Sequence, residues 1–519
     1  MPVIITLRRH NMKNPIVGRE QELSILERIA GSNHAEFIAV YGRRRIGKTF
    51  LIREFFSREV SPSPEHQLFF SHSGVQDGSS ATELARFQLA IETQLFNGLR
   101  LPAVKTFHAA FELLINAIEA RLYSDAGIKR AVIFLDELPW IAKPRSGVLA
   151  ALDSAWNSTL SRIPKVKLIV CGSAASWMIN NLVKATGGLH NRLTCVLPLS
   201  PFTLLETKQF LESKALKLNL SSIIELYLAV GGVPHYLMQT ERGRTVDANI
   251  AAICFDRSGF LREEFNQLFR SLFTNFSECE KIVRLLHAAP KGLTLDAIAK
   301  IGRMSKGGRL RQRLRELEEA GFVGEFVSLD RKSKNSWFRL VDEYCSFFLK
   351  WIEPAPKSVF NGDGLPYWQS KRDTPSYFSW AGNAFETLCL KHAREIRASL
   401  ALNPAATTST WRYVPKQKIE KGARGKAKNA AEKGAQIDLL FDGPRDIALC
   451  EIKYSAKPYV VDKKFTSEFL NRTETFKEKT KTKKEILKVL ICNHGVKPSP
   501  WVLEAADKVI DEKALFKAL

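Results

Sequence analysis

Apolar residues along this chain follow two rhythms. Runs at 37–40, 68–70, 131–135 and 168–171, and the stretch 194–197 that is apolar after Thr194, are bounded by charged, polar or glycine-rich stretches, the pattern of buried strands. Between them the spacing lengthens to three or four residues. Leu23, Leu26, Ile29 and Ala30, then Leu84, Phe87 and Leu95, then Phe107, Phe111, Leu114, Ile118 and Leu122 predict amphipathic helices. Strands alternating with helices predict an α/β layer structure. From residue 277 the pattern changes to three short helices, built on Ile282, Leu285 and Leu286, on Leu295, Ile298 and Ala299, and on Leu310, Leu314 and Leu317. A hairpin over 327–340, turning at Asp330-Arg331-Lys332-Ser333, follows them, which is the order of a winged helix-turn-helix. Residues 352–379, rich in Pro, Gly, Ser and aromatics, read as a connector. An amphipathic helix then opens at Trp380, and two apolar strands at 435–441 and 447–452 flank a turn.

The first apolar run leads into Tyr41-Gly42-Arg43-Arg44-Arg45-Ile46-Gly47-Lys48-Thr49, a G-x-x-x-x-G-K-T loop, and then into a helix beginning at Phe50. A strand, a glycine loop and a helix in this order leave backbone N–H groups converging on one spot, where triphosphate oxygens can sit. Residues 42–50 therefore form the candidate nucleotide site. Lys48 is expected to neutralise the β and γ phosphates, and Thr49 to hold Mg²⁺ through its hydroxyl. A Cβ at Gly42 or Gly47 is expected to block the approach of backbone to phosphate. The run at 131–135 ends in Asp136 and Glu137, which suits Asp136 to the Mg²⁺ water shell and Glu137 to polarising the attacking water. Ser173, after the run at 168–171, is placed to sense the γ-phosphate. Arg192 is a candidate for stabilising transition-state charge, in its own subunit or in the neighbour of a homo-oligomer. Arg19, in Val17-Gly18-Arg19-Glu20, is placed to close over base and ribose.

Composition narrows the setting. Across 519 residues the formal charge is +23, which favours phosphate-rich partners such as DNA. The eight cysteines are scattered without a C-x-x-C pair, the pattern of a reduced, cytoplasmic protein. No apolar run has the ~18–20 residues of a membrane span. Residues 412–434 hold eight basic residues against Glu420 and Glu432. Arg309, Arg311, Arg313 and Arg315 flank the leucine face of the third short helix and suit phosphate contacts or internal docking.

The motifs V-G-R-E-x-E-L, Y-G-R-R-R-I-G-K-T, F-L-D-E and C-G-S-x-x-S resemble those of the archaeal-type ATPase family, in the STAND branch near the AAA+ proteins. The resemblance covers about the first 350 residues. It implies ATP as ligand, a parallel sheet in 5-1-4-3-2 order over 15–205, a helical lid over 206–270 and a winged helix over 271–350. It also implies a place for Pro234, in Gly231-Gly232-Val233-Pro234, on the adenine face.

In the C-terminal part, the two strands and their turn bring Asp438 beside Glu451, and two-residue spacing puts Glu451 and Lys453 on one face. Two carboxylates can bind Mg²⁺ while a lysine orients water toward a phosphodiester. This Asp…Glu-x-Lys pattern resembles the PD-(D/E)xK nuclease superfamily, a restriction-endonuclease-like α/β fold, over about 380–500, within a domain expected at 380–519 after a connector at 351–379. The resemblance implies that Glu386 is the acidic residue of the first helix. Two functions follow as expectations: DNA cleavage under ATP control, or a STAND-type regulatory switch that cuts nothing.

Overall fold

The computed structural model describes residues 15–56, 67–184, 191–327, 329, 336–413, 415 and 434–519. The basic run at 416–433, the hairpin tip at 330–333 and the glycines at 187 and 188 lie outside the described residues.

Five parallel strands form the first sheet: β1 (Glu36–Tyr41), β2 (Gln67–Ser73), β3 (Arg130–Asp136), β4 (Val166–Gly172) and β5 (Cys195–Pro198). Their order is β2-β3-β4-β1-β5, the expected 5-1-4-3-2 arrangement seen from the other edge. Alternation along β1 explains why its run is apolar throughout. Phe37 and Ala39 enter the core on one face with Phe111, Ile133 and Trp156, while Ile38 and Val40 enter the other with Ile52, Phe56 and Phe134. The helices Ser80–Leu95 and Phe107–Ser124 start where Ser79 and Thr106 accept the N–H groups of Thr82 and Ala109.

After β5 the chain turns helical. Leu204–Ser213 opens with a full capping box of Thr203 and Glu206, and Leu220–Val230, Val246–Cys254 and Glu264–Leu272 follow in the stretch expected to be a lid, called by that name below. The segment expected to be a winged helix, called by that name below, holds the helices Phe276–His287, Leu295–Ile301 and Gly308–Glu319. Its strands β6 (Leu293–Thr294), β7 (Val323–Phe326) and β8 (Trp337–Leu340) pair antiparallel in the order β6-β8-β7. The last sheet holds β9 (Thr407–Tyr413), β10 (Ala435–Asp442), β11 (Asp446–Lys453), β12 (Glu485–Cys492) and β13 (Lys508–Ile510). It is mixed: β9, β10 and β11 run antiparallel, while β11, β12 and β13 run parallel.

The expected connector is not a tether. Residues 351–379 carry the helix Gly364–Lys371 and the start of the helix Pro375–Lys391. Trp368 is 1% exposed, stacks on Phe255 of the lid with ring centroids 5.9 Å apart and donates to Asp247 Oδ1 at 2.9 Å. The aromatics that suggested an irregular segment are core residues. One apolar core runs without a break from Phe202 in the lid, through the winged helix, to Leu515. His392 fastens it. Its Nε2 accepts from Leu204 N at 3.1 Å, its Nδ1 lies 3.0 Å from Leu388 O, and burial pushes its pKa down to about 4. The ring is thus neutral at physiological pH.

Trp368→Ala is expected to destabilise the protein by roughly 3–5 kcal/mol in chemical denaturation and to open 352–379 to proteolysis. A tether would give a change of under about 0.5 kcal/mol and no new cleavage.

Candidate functional site

The phosphate loop follows β1 as the pattern required, but its side chains are deployed differently from the expectation. Gly42 has φ +150°, and a Cβ there would lie 2.2 Å from Leu199 O, so its demand for glycine comes from the chain leaving β5. Gly47 has φ +89° and would point a Cβ into open space, so its demand is conformational. Lys48 is 5% exposed, and its ammonium donates to Gly42 O and Arg43 O, both at 2.9 Å, and to Ser173 Oγ at 3.0 Å. Burial, reinforced by Arg44, lowers its pKa, against the opposing pull of Cys171, Glu137 and Asp136. Phe50, on the first turn of the following helix, is 44% exposed.

Two strands away, Asp136 meets the loop directly: Thr49 Oγ1 donates to its Oδ2 at 2.9 Å. Glu137 sits in the left-handed region with φ +48°. Its carboxylate accepts the Ser173 N–H at 3.0 Å and the Ser173 hydroxyl. Thr49 and Asp136 are a hydroxyl and a carboxylate already in contact beside a buried lysine, a donor set that fits the Mg²⁺ of a bound triphosphate. Those two residues would hold the ion, which would supply charge neutralisation on the phosphates.

Two of the three loop arginines turn away from the phosphate position. Arg43, 4% exposed, forms a buried ion pair with Asp342 just beyond β8, its guanidinium 5.7 Å from the Tyr236 ring and 5.1 Å from the Phe322 ring. Arg45, with φ +71°, pairs with Glu264 of the lid at 2.7 Å over the Phe260 ring. Arg44 lies half-buried between them. Arg19 is held in the same manner. Its backbone N–H donates to Glu206 Oε1 at 2.9 Å, its guanidinium donates to Ile46 O at 3.1 Å, and it lies over the Phe202 ring. Pro234 begins a short helical turn whose next residue, His235, donates its N–H to Arg45 O at 3.4 Å, so it does adjoin the loop.

Arg192 is not brought to this site. It is exposed and precedes β5 at the end where Thr194 bonds to Phe37, whereas the phosphate loop leaves β1 after Tyr41. At about 3.3 Å per residue that is the opposite end of the sheet, so a role within its own subunit fails on distance. Of the winged-helix arginines, Arg313 is 8% exposed and pairs with Glu278 at 3.0 Å. It lines a cavity of about 540 Å³ with Ser173, Trp140, Arg270, Gln312 and Glu316. That helix face docks toward the ATPase, leaving Arg309, Arg311 and Arg315 exposed.

In the C-terminal domain the structure brings four expected residues together. The register that pairs Leu439 with Cys450 sets Asp438 against Glu451, and Ile452 N donates to Asp438 Oδ2 at 3.2 Å. Glu386 projects from Pro375–Lys391, a helix lying across β10 and β11. All three carboxylates are buried, and Lys453 Nζ donates to Glu451 at 2.7 Å. Burial first, then Glu386 and Glu451, push the Asp438 carboxyl up to about 7. Burial would lower the Lys453 pKa, but Glu451 outweighs it and holds it above the ordinary lysine value.

Three cations that the sequence reading missed complete the cluster. Arg472 Nη1 donates to both oxygens of Glu451, at 3.0 and 2.9 Å. Lys291 and Arg339 reach across from the winged helix to the two oxygens of Glu386, Arg339 at 2.7 Å. Arg472 was legible, because it shares a helical stripe with Phe465, Phe469 and Phe476. Lys291, in a loop after Pro290, gave no signal. With these partners in place the carboxylates do not fit Mg²⁺. Among the described residues no group of three or more His, Cys, Asp or Glu is arranged to hold a metal ion.

A parallel sheet in 2-3-4-1-5 order, a G-K-T loop after β1 and an acidic pair after β3 define a P-loop ATPase. Residues 16–240 match the family described as an ATPase domain predominantly from Archaea, and the chain belongs to that family. An uncharacterized protein of Methanocaldococcus jannaschii is 26% identical over 351 residues, 67% of this chain and 71% of that protein. An uncharacterized ATP-binding protein of the same organism is 49% identical over 43 residues, 8% of this chain and 73% of that protein. Among solved structures, the Walker-type ATPase of Pyrococcus abyssi aligns at 17% identity and TM-score 0.45, over 64% of this chain and 96% of that one. The ORC2 protein of Aeropyrum pernix, in ADPNP–ADP complexes, aligns at 16% and 0.40, over 70% and 98%. Among the described residues no helix is long and apolar enough to cross a membrane.

The raised Asp438 pKa carries a stability consequence with a definite sign. An unfolded aspartate titrates near ~4, so from there up to about 7 the folded form holds its proton more tightly and stability falls as pH rises. Asp438→Asn is expected to raise the melting temperature at about pH 8, with the gain disappearing near pH 4. An equal shift at both pH values in thermal melts would remove the assignment.

Proposed function

We propose that this chain is an ATP-hydrolysing switch in which the nucleotide state of the phosphate loop sets the arrangement of lid, winged helix and C-terminal domain. The observation that carries the reading is the outward pairing of Arg43 with Asp342 and of Arg45 with Glu264. A loop that must rearrange around phosphates cannot do so without disturbing two domains tied to it by ion pairs. Arg19 adds a third tie, between the loop carbonyl of Ile46 and the lid residue Glu206. Lys48, Thr49 and Asp136 are the residues assigned to triphosphate and Mg²⁺, Ser173 to sensing and Glu137 to orienting the attacking water.

A second reading, DNA cleavage by the C-terminal domain, is favoured by the convergence of Glu386, Asp438, Glu451 and Lys453 on one mixed sheet and its covering helix. The net charge of +23 supports a polyanionic partner. In the arrangement described here those carboxylates are neutralised by protein cations, so the reading applies to a rearranged state of the domain.

Two measurements test the switch. Glu137→Gln is expected to lower ATP turnover about 10²-fold while calorimetric ATP affinity is kept, and Lys48→Ala to weaken binding itself; unchanged turnover in Glu137→Gln defeats the hydrolytic assignment. ATP with Mg²⁺ is also expected to alter amide-exchange protection over 339–347 in the wild type and not in Arg43→Met. An identical response in both proteins removes the arginine tie from the mechanism.

A further inference from the structure

Glu386 and Glu451, the buried glutamates of the C-terminal cluster, are each neutralised twice. Glu386 is met by Arg339 at Oε1 and by Lys291 at Oε2. Glu451 is met by Arg472 across both oxygens and by Lys453 at Oε1. One guanidinium is enough to compensate a buried carboxylate. The lysines are surplus to that need, and they are the open members of the cluster: the Lys291 side chain is 45% exposed and Lys453 30%, against 5% for Arg339 and 11% or less for the three acids.

Asp438, the third acid, lies within reach of both lysine charges. It accepts from Ile452 N at 3.2 Å and from Gln436 Nε2 at 3.4 Å, with the Lys291 ammonium 3.8 Å away. Four cations therefore face three carboxylates, and the cluster stays net positive even with every acid ionised. Its donors are not used up. An ammonium has three N–H groups, and Lys291 and Lys453 each spend one on a glutamate. Arg472 spends Nη1 on Glu451 and Nε on the Glu468 carbonyl, which leaves Nη2 without a partner among the described residues. Lys453 and Arg472 share Glu451 Oε1, at 2.7 and 3.0 Å, so their charges sit side by side.

What this cluster turns to solvent is N–H donors with the acids behind them, the reverse of a centre that holds a cation. An oxyanion fits such a face. The phosphodiester of a DNA backbone carries two unesterified oxygens that can spread over neighbouring cations. The chain's net charge of +23 favours a polyanion over a small ion. We infer that Lys291, Lys453 and Arg472 form a metal-free seat for the phosphate backbone of DNA, in which the buried carboxylates serve to hold the cations in place. This rests on the DNA partner of the second reading above and dispenses with cutting. Nothing has to open, because both lysines already reach solvent while the apolar core stays closed. Lys291 comes from the winged helix and the other two from the C-terminal domain, so the docked arrangement itself makes the seat.

The test is fluorescence anisotropy of a labelled DNA duplex with the full-length protein, in EDTA and without nucleotide. Lys291→Gln with Lys453→Gln leaves Arg339 on Glu386 and Arg472 on Glu451, so both buried glutamates keep a cation and the fold is expected to hold in thermal melts. The double variant is expected to bind DNA at least about tenfold more weakly and to flatten the slope of log affinity against log salt by about 1–2. Asp438→Asn removes a negative charge and is expected to bind as tightly as wild type or more tightly, whereas a substrate held through a metal would be lost with it. Excess unlabelled duplex is expected to displace the probe, and inorganic phosphate at matched ionic strength to leave it bound; displacement by phosphate makes this a small-anion site and overturns the DNA assignment. No binding by wild type in EDTA, unchanged affinity in the double variant, or weaker binding by Asp438→Asn overturns the seat. Plasmid incubated with Mg²⁺ and the same proteins reports on cleavage separately. Binding without cutting upholds the seat and defeats the cleavage reading, whereas cutting that Lys453→Gln abolishes, with binding in EDTA unchanged, does the reverse.

Discussion

The pairing of Arg43 with Asp342 governs how the rest of the chain is disposed about the ATPase sheet. Both side chains are withdrawn from water, at 4% and 2% exposure, so neither charge is screened and each depends on the other. Removing one partner from such a pair costs on the order of 3–5 kcal/mol, because the other is left buried and bare. Tyr236 and Phe322 flank the guanidinium with their rings and exclude solvent further. The pair thus ties the geometry of a phosphate cradle to a position about 300 residues later in the chain. One ion pair spans the boundary without a relay of other side chains.

The candidate nucleotide site is itself a closed network. Lys48 bonds to the loop carbonyls and to Ser173, Ser173 bonds to Glu137, and Thr49 bonds to Asp136. Each group expected to act on phosphate, metal or water is satisfied by a neighbour. Buried polar groups of this network are thus left without unpaired donors or acceptors.

The parts legible in the sequence share one physical property: their cause is local. Strand runs, the glycine loop, the acidic pair and the Glu-x-Lys strand are each dictated by neighbours a few residues away, so residues 37–49, 131–137 and 435–453 read directly. Non-local causes were not readable. Arg43 and Arg45 sit within a nucleotide motif, and nothing nearby signals that their partners are Asp342 and Glu264. Arg313 resembled its exposed neighbours until Glu278 was brought against it. Lys291 and Arg339 acquire meaning only when the winged helix docks on the Glu386 helix. The segment at 352–379 was misread for another reason: its turn-forming composition and its buried aromatics make opposite claims, and the aromatics prevailed once Phe255 and Tyr377 surrounded Trp368.

The unbroken apolar core from Phe202 to Leu515 has a consequence for how this molecule can be divided. Three architectural modules share one interior, so they form a single cooperative block while the ATPase sheet keeps cores of its own. A fragment cut at the edge of the winged helix would bare the flank of the Leu220–Val230 helix that Pro375–Lys391 and residues 512–516 cover, inviting aggregation. Any division of the chain that is to keep this interior dry must therefore leave residues 202–515 in one piece.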